Sequence, residues 1–226
     1  MEEVVSNKKS PDFNFYEAAL VKRSELFEDC TNIVVGKGNL NADILFIGEA
    51  PGRNEDLQGI PFCGAAGKNL DKLLFSVGLS LDSVYVANIL KCRPPENRDP
   101  LPDEIREHTP WLLKQIREIK PKVVCSLGNY ATKFFLAKGD VDLMKGQPGI
   151  TQVHGKVQEM EMEFKDNENI STMKFKLIPL FHPAAIIYNR TKLTPLWEAD
   201  MEVVKEYCKS GDGGGKKGAR EESRDK

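Results

Sequence analysis

Residues Ile44-Leu45-Phe46-Ile47 form an unbroken apolar run that stops abruptly at Gly48-Glu49-Ala50-Pro51-Gly52. A run this short, rich in branched side chains and closed by turn residues predicts a buried strand opening into a loop at its carboxyl end. A helix is expected from about Ala65, with Leu70, Leu73, Leu74 and Val77 on one face. Ligands of open α/β sheets sit in the crevice beyond the strand ends. Glu49, Pro51, Gly52 and Phe62 would lie at such a mouth. A carboxylate, a tight loop and one aromatic ring suit a small, flat, polar ligand.

Three further strands are expected. Val84–Leu90 ends near Asn88 and runs into Lys91-Cys92-Arg93-Pro94-Pro95-Glu96-Asn97-Arg98, a proline-stiffened basic loop. Pro102-Asp103-Glu104 then opens a helix, with proline and acids where a helix N-terminus favours them. Lys122–Gly128 is the third strand, and Phe175–Phe181 the fourth, ending in His182-Pro183-Ala184-Ala185. Other expectations are a helix over 13–27, a short strand or extended lead-in at Ile33-Val34-Val35, a hairpin from 153–157 and 160–164, a surface loop at 166–172 and a last helix from about Pro195. Strands alternating with helices predict a three-layer α/β/α sandwich around a mainly parallel four-stranded central sheet. Parallel strands would bring Glu49, Asn88 and His182 to one edge.

The chain has 226 residues, 29% of them charged, and a net charge of −2. One domain over 12–208 is expected, between a flexible segment 1–11 and a disordered charged tail 209–226. The balance of charge excludes a globally basic nucleic-acid binder, so any such role needs a local patch. The five cysteines are widely spaced, and Cys63 and Cys125 read as buried thiols. The N-terminal residues show no secretory leader, and there is no run of about 18 apolar residues to cross a membrane. A cytoplasmic, monomeric protein is the expectation.

Gly64-Ala65-Ala66-Gly67-Lys68-Asn69 superficially suggests a phosphate loop. It fails, because Asn69 stands where the hydroxyl residue is needed and Phe62 where the first glycine is needed. Asn88 alone is as well explained as a turn residue, and His182 as a loop histidine. The carboxamide, however, offers the donor and acceptor that reading a base edge requires. The imidazole offers a donor to a developing oxyanion.

Taken in order, these stretches resemble a known family. Gly48-Glu49-Ala50-Pro51-Gly52 with Glu55-Asp56, Gly59, Pro61-Phe62, Gly64 and Ala66-Gly67 is similar to the first motif of the family 4 uracil-DNA glycosylases. Asn88 with Lys91–Arg98 resembles the second motif, and His182–Ala185 the third. The resemblance spans roughly residues 20–205. It implies that Gly48, Glu49 and Ala50 line a uracil pocket, that Phe62 stacks on the flipped base, and that Asn88 pairs with uracil O4 and N3–H. It implies that His182 donates toward O2 and that Glu49 helps to hold water, since Ala50 replaces the aspartate of the better-known first family. Lys91, Arg93 and Arg98 would meet DNA phosphates. Ile187 or Tyr188 would enter the vacated stack, with Arg190 on a phosphate. The activity implied is release of free uracil from DNA in base excision repair, on DNA in the nucleoid. A non-catalytic paralogue that binds DNA or abasic sites, and a glycosylase for hypoxanthine or xanthine, remain alternatives. Recruitment by a sliding clamp stays open.

The chain departs from the family at the four cysteines that hold its [4Fe–4S] cluster. Those positions fall on Val21, Ser24, Cys92 and His108. Cluster irons take thiolates, so no cluster and no other cofactor is expected.

Overall fold

A computed structural model describes residues 30–166 and 169–208. The expected helix over 13–27, the segments 1–11 and 209–226, and the positions Val21 and Ser24 lie outside the described residues.

Six strands form one sheet: β1 (Lys37–Gly38), β2 (Ile44–Gly48), β3 (Val84–Asn88), β4 (Val123–Leu127), β5 (Gln158–Asp166) and β6 (Asn169–Leu180), in the order β1-β3-β2-β4-β6-β5. The four central strands are parallel, and both edge strands run antiparallel to their neighbours. Strands β2, β3 and β4 are buried at every position, as a parallel sheet covered on both faces requires. Their side chains alternate between two cores. On one face Leu45, Ile47, Ala87 and Val124 meet α3 (Pro102–Ile119) and α4 (Gly128–Leu136) through Ile105, Leu112, Ile116, Phe134 and Phe135. On the other, Phe46, Val86 and Cys125 meet α2 (Ala65–Ser76) and α7 (Arg190–Cys208) through Leu70, Leu74, Trp197 and Met201. The result is a three-layer α/β/α sandwich. Shorter helices, α1 (Arg53–Gln58), α5 (Ile150–Val153) and α6 (Pro183–Tyr188), sit in the connections. No helix among the described residues is long and apolar enough to cross a membrane.

Two local expectations need correction, and a third resolves between its alternatives. Ile33–Val35 is the extended lead-in to β1 rather than a strand. Val34 N–H donates to the Lys91 carbonyl at 2.7 Å, and pairing with β3 begins only at Lys37↔Val86. The hairpin is longer and later than its pattern suggests: β5 and β6 pair from Gln158↔Leu177 to Asp166↔Asn169, so strand takes in much of the expected surface loop. Met160, Met162 and Phe164 face the core while Glu159 and Glu161 face outward, opposite Lys176 and Lys174. Paired charges on the solvent face allow a polar stretch to remain strand. The last helix starts at Arg190, with Pro195 inside it.

Candidate active site

The cavity at the carboxyl edge is built from the ends of β2, β3 and β6. Gly48 and Asn88 are register partners. A Cβ on Gly48 would stand 2.4 Å from Asn88 Oδ1 and 2.7 Å from Phe62 Cζ. Glycine is therefore what lets a carboxamide and a phenyl ring meet above the strand end. Phe62 is held from behind: Gly67 packs so closely that a Cβ there would be 1.7 Å from the Phe62 oxygen. Lys37 Nζ donates to that same oxygen at 3.0 Å. Phe62 itself takes a left-handed backbone, φ 50°, an unfavourable conformation for a bulky residue.

Asn88 is 2% exposed, and its Oδ1 is buried with no hydrogen-bond partner. A buried acceptor without a donor costs about 1–3 kcal/mol, so it marks a place where a ligand donor belongs. His182 caps α6: its Nδ1 accepts the Ala184 N–H at 3.2 Å. A backbone N–H only donates, so Nδ1 carries no proton and the neutral ring holds its proton on Nε2. Burial lowers the His182 pKa to about 4, against the opposing pull of Glu55. The ring is thus a neutral donor at physiological pH. It lies 5.9 Å from the Phe62 ring at 32°. Trp197 Nε1 donates to the Phe181 oxygen at 2.6 Å and pins the peptide just before it.

These side chains, with Glu49, Ala50, Asn97 and Arg98, line a cavity of about 240 Å³. Burial, then the charge of Asp99, raises the Glu49 pKa to about 7. Glu55 also lines the cavity, and its Oε1 accepts the Gly64 N–H at 2.9 Å. It stood in the first motif, but nothing in its spacing distinguished it from a helix-surface acid.

The basic loop separates into three fates. Lys91 is no phosphate contact: it is 1% exposed, and its Nζ donates to Asn88 O at 2.7 Å and Gln115 Oε1 at 2.6 Å. Arg98 forks onto Glu104 and lines the cavity. Arg93 is half-buried and donates to Asn97. Ile187 is 50% and Tyr188 88% exposed at the end of α6, and Arg190 is exposed at the start of α7.

The two described cluster positions are both engaged within the protein. Cys92 is bonded to Cys30. His108 is buried, and its Nδ1 accepts the Lys91 N–H at 2.9 Å. Among the described residues no group of three or more His, Cys, Asp or Glu is placed to hold a metal ion. The donor set does not fit an iron–sulfur cluster.

A parallel sheet whose carboxyl edge gathers a carboxamide, an imidazole and a phenyl ring around one small hole defines a class, and sequence comparison agrees: a family model for the Uracil DNA glycosylase superfamily matches residues 35–202. The Type-4 uracil-DNA glycosylase of Archaeoglobus fulgidus is 42% identical over 187 residues, 83% of this chain and 87% of that protein. Those of Sulfurisphaera tokodaii and Thermotoga maritima are 40% and 38% identical, over 85% and 79% of this chain and 82% and 84% of their own lengths. The chain belongs to the type-4 uracil-DNA glycosylases of that superfamily.

Proposed function

We propose that the protein removes uracil from DNA by hydrolysing its N-glycosidic bond, leaving an abasic site. The observation that carries this reading is the orphaned, buried Asn88 Oδ1 at the wall of a base-sized cavity. Uracil N3–H supplies the missing donor, and O4 accepts from the carboxamide nitrogen. Cytosine presents the reverse pattern and leaves both groups unpaired, which rejects it strongly.

The target base is extruded from the stack into the cavity and lies against Phe62. As the C1′–N1 bond breaks, its electron pair passes to the base, and negative charge grows on O2. The His182 Nε2–H donates to that oxygen without having to lose a charge. The ionised Glu49 faces the oxocarbenium-like sugar and orients the water, whose oxygen bonds to C1′ as one of its protons passes to the Glu49 carboxylate. Nothing in this sequence of events needs a metal.

The chain does without the family's cluster. Its support is the donor set: one thiol consumed in the Cys30–Cys92 link and one imidazole turned to a backbone N–H. Protein as purified should hold well under one iron per chain and lack broad absorbance near 400 nm. About four irons per chain would overturn this. Ile187, Tyr188 and Arg190 form the edge that meets the DNA, with Tyr188, the more exposed of the first two, entering the vacated stack and Arg190 on a phosphate.

A panel of single- and double-stranded oligonucleotides bearing uracil, hypoxanthine or xanthine, cleaved with alkali after incubation, tests the reading. Cleavage at uracil is expected. His182→Ala and Asn88→Ala should each slow single-turnover release by about two to three decades, the loss typical of one preorganised donor. Full rates for both would remove these two residues from the site.

A further inference from the structure

Beside the uracil cavity lies a second, larger cleft of about 680 Å³. The two are separated by a thin partition. Arg98 lines the first and Asp99 the second. The Tyr130 hydroxyl hydrogen-bonds Asp99, whose charge is felt by Glu49 on the other side. On α4, Tyr130 and Lys133 are three residues apart and share a face. Asn129 Oδ1 accepts the Ile150 N–H at 2.8 Å, which fixes the start of that helix against the opposite wall. The floor is apolar, with Ile105, Val141 and Met144, and Lys145 is exposed at the rim.

We infer that this cleft is a subsite for the nucleotide next to the uracil, received as an unpaired base. An aromatic ring and an apolar floor beside two ammonium groups are what an unstacked base and its phosphate need. The cleft lies across that partition from the hole that takes the uracil, with Arg98 and Asp99 adjacent in the chain, so a nucleotide joined to the uracil can reach it. A neighbour still paired in a duplex stays in the stack and does not enter. The subsite therefore favours single strands or frayed ends. The inference rests on the uracil reading above.

Short single-stranded uracil oligonucleotides separate the two ideas. One series is extended from the uridine only on its 5′ side, another only on its 3′ side. In the wild type, the first added nucleotide on one side should raise kcat/KM about tenfold, within the range of one stacked base, and on the other side much less. Lys133→Ala/Lys145→Ala should cut the shortest substrate like wild type yet lose most of that gain, and Tyr130→Leu, measured against its own rate on the shortest substrate, should lose the gain as well. Both should lose more on single strands than on duplexes. Circular dichroism melts confirm that the variants fold. The inference is overturned if neither extension helps the wild type, or if both variants keep the full gain. A wild type that releases no uracil from any oligonucleotide overturns the uracil reading itself.

Discussion

The Lys91 ammonium reaches back three residues to hold the main-chain oxygen of Asn88 at 2.7 Å, while Gln115 Oε1 accepts from it at 2.6 Å. Burial lowers its pKa to about 7. This buried amine sits directly behind the residue proposed to read the base. Lys91→Met leaves two buried acceptors without donors, at about 1–3 kcal/mol each, and frees the Asn88 backbone to shift. Single-turnover uracil release should fall at least tenfold. DNA affinity should keep its salt dependence, because a phosphate contact would take about one unit off the salt slope when removed. Binding titrations across salt concentrations check this.

Lys91 also shows where the sequence stops being informative. A lysine in a basic, proline-rich loop gives no sign of its depth, because depth depends on Gln115 arriving from α3. The Cys30–Cys92 bond joins residues 62 apart with no spacing signal. The partition of Glu49, Asp99 and Tyr130 draws on three separate segments. By contrast, the four parallel strands were legible as apolar runs with polar stops. Parallel order then forced Gly48, Asn88 and His182 to one edge. The hairpin was expected but placed too early and cut short, because the polar stretch 166–172 read as loop until it paired with the end of β5.

Glu49 gives the protein a neutral-pH titration. Its pKa is about 7 in the fold against 4.5 for an ordinary glutamate. Below pH 4.5 the group is protonated folded or unfolded and costs nothing. Between 4.5 and 7 only the unfolded chain loses the proton, so the folded state is increasingly disfavoured. Above 7 the penalty is full, at most about 3 kcal/mol. Glu49→Gln should therefore melt higher than wild type at pH 8, and the difference should vanish near pH 4. Uracil release by the wild type should rise with pH to a plateau, with a midpoint near 7. The variant should be slower and lose that rise. His182 contributes no step there, being neutral above about pH 4.

Gly48→Ala and Gly67→Ala separate site from scaffold. The new Cβ at Gly48 meets only side-chain atoms, Asn88 Oδ1 at 2.4 Å and Phe62 Cζ at 2.7 Å. Lys37 and Gly67 fix the Phe62 backbone, so the carboxamide and the end of the phenyl ring must both turn away. The protein should melt within a few degrees of wild type and lose at least tenfold in uracil release. At Gly67 the Cβ meets the Phe62 carbonyl at 1.7 Å, and backbone must move. That variant should be destabilised by about 1–3 kcal/mol, the usual cost of overpacking. Melting curves beside single-turnover rates distinguish the two.

His182 and Tyr188 sit at opposite ends of one short helix. His182 is its N-cap, and Tyr188 closes α6 with 88% of its surface exposed. Ile186 between them is buried against the α2–α7 core, so the turn is anchored. In the proposed binding mode the Tyr188 ring enters the gap left by the extruded base while His182 meets that same base. Tyr188→Ala should bind abasic duplex about tenfold more weakly, since the lost ring leaves the gap open. Release of uracil should slow markedly in duplex DNA. In single strands, where no stack has to be refilled, it should slow little. Equal slowing on both substrates would instead assign Tyr188 to holding His182 in place.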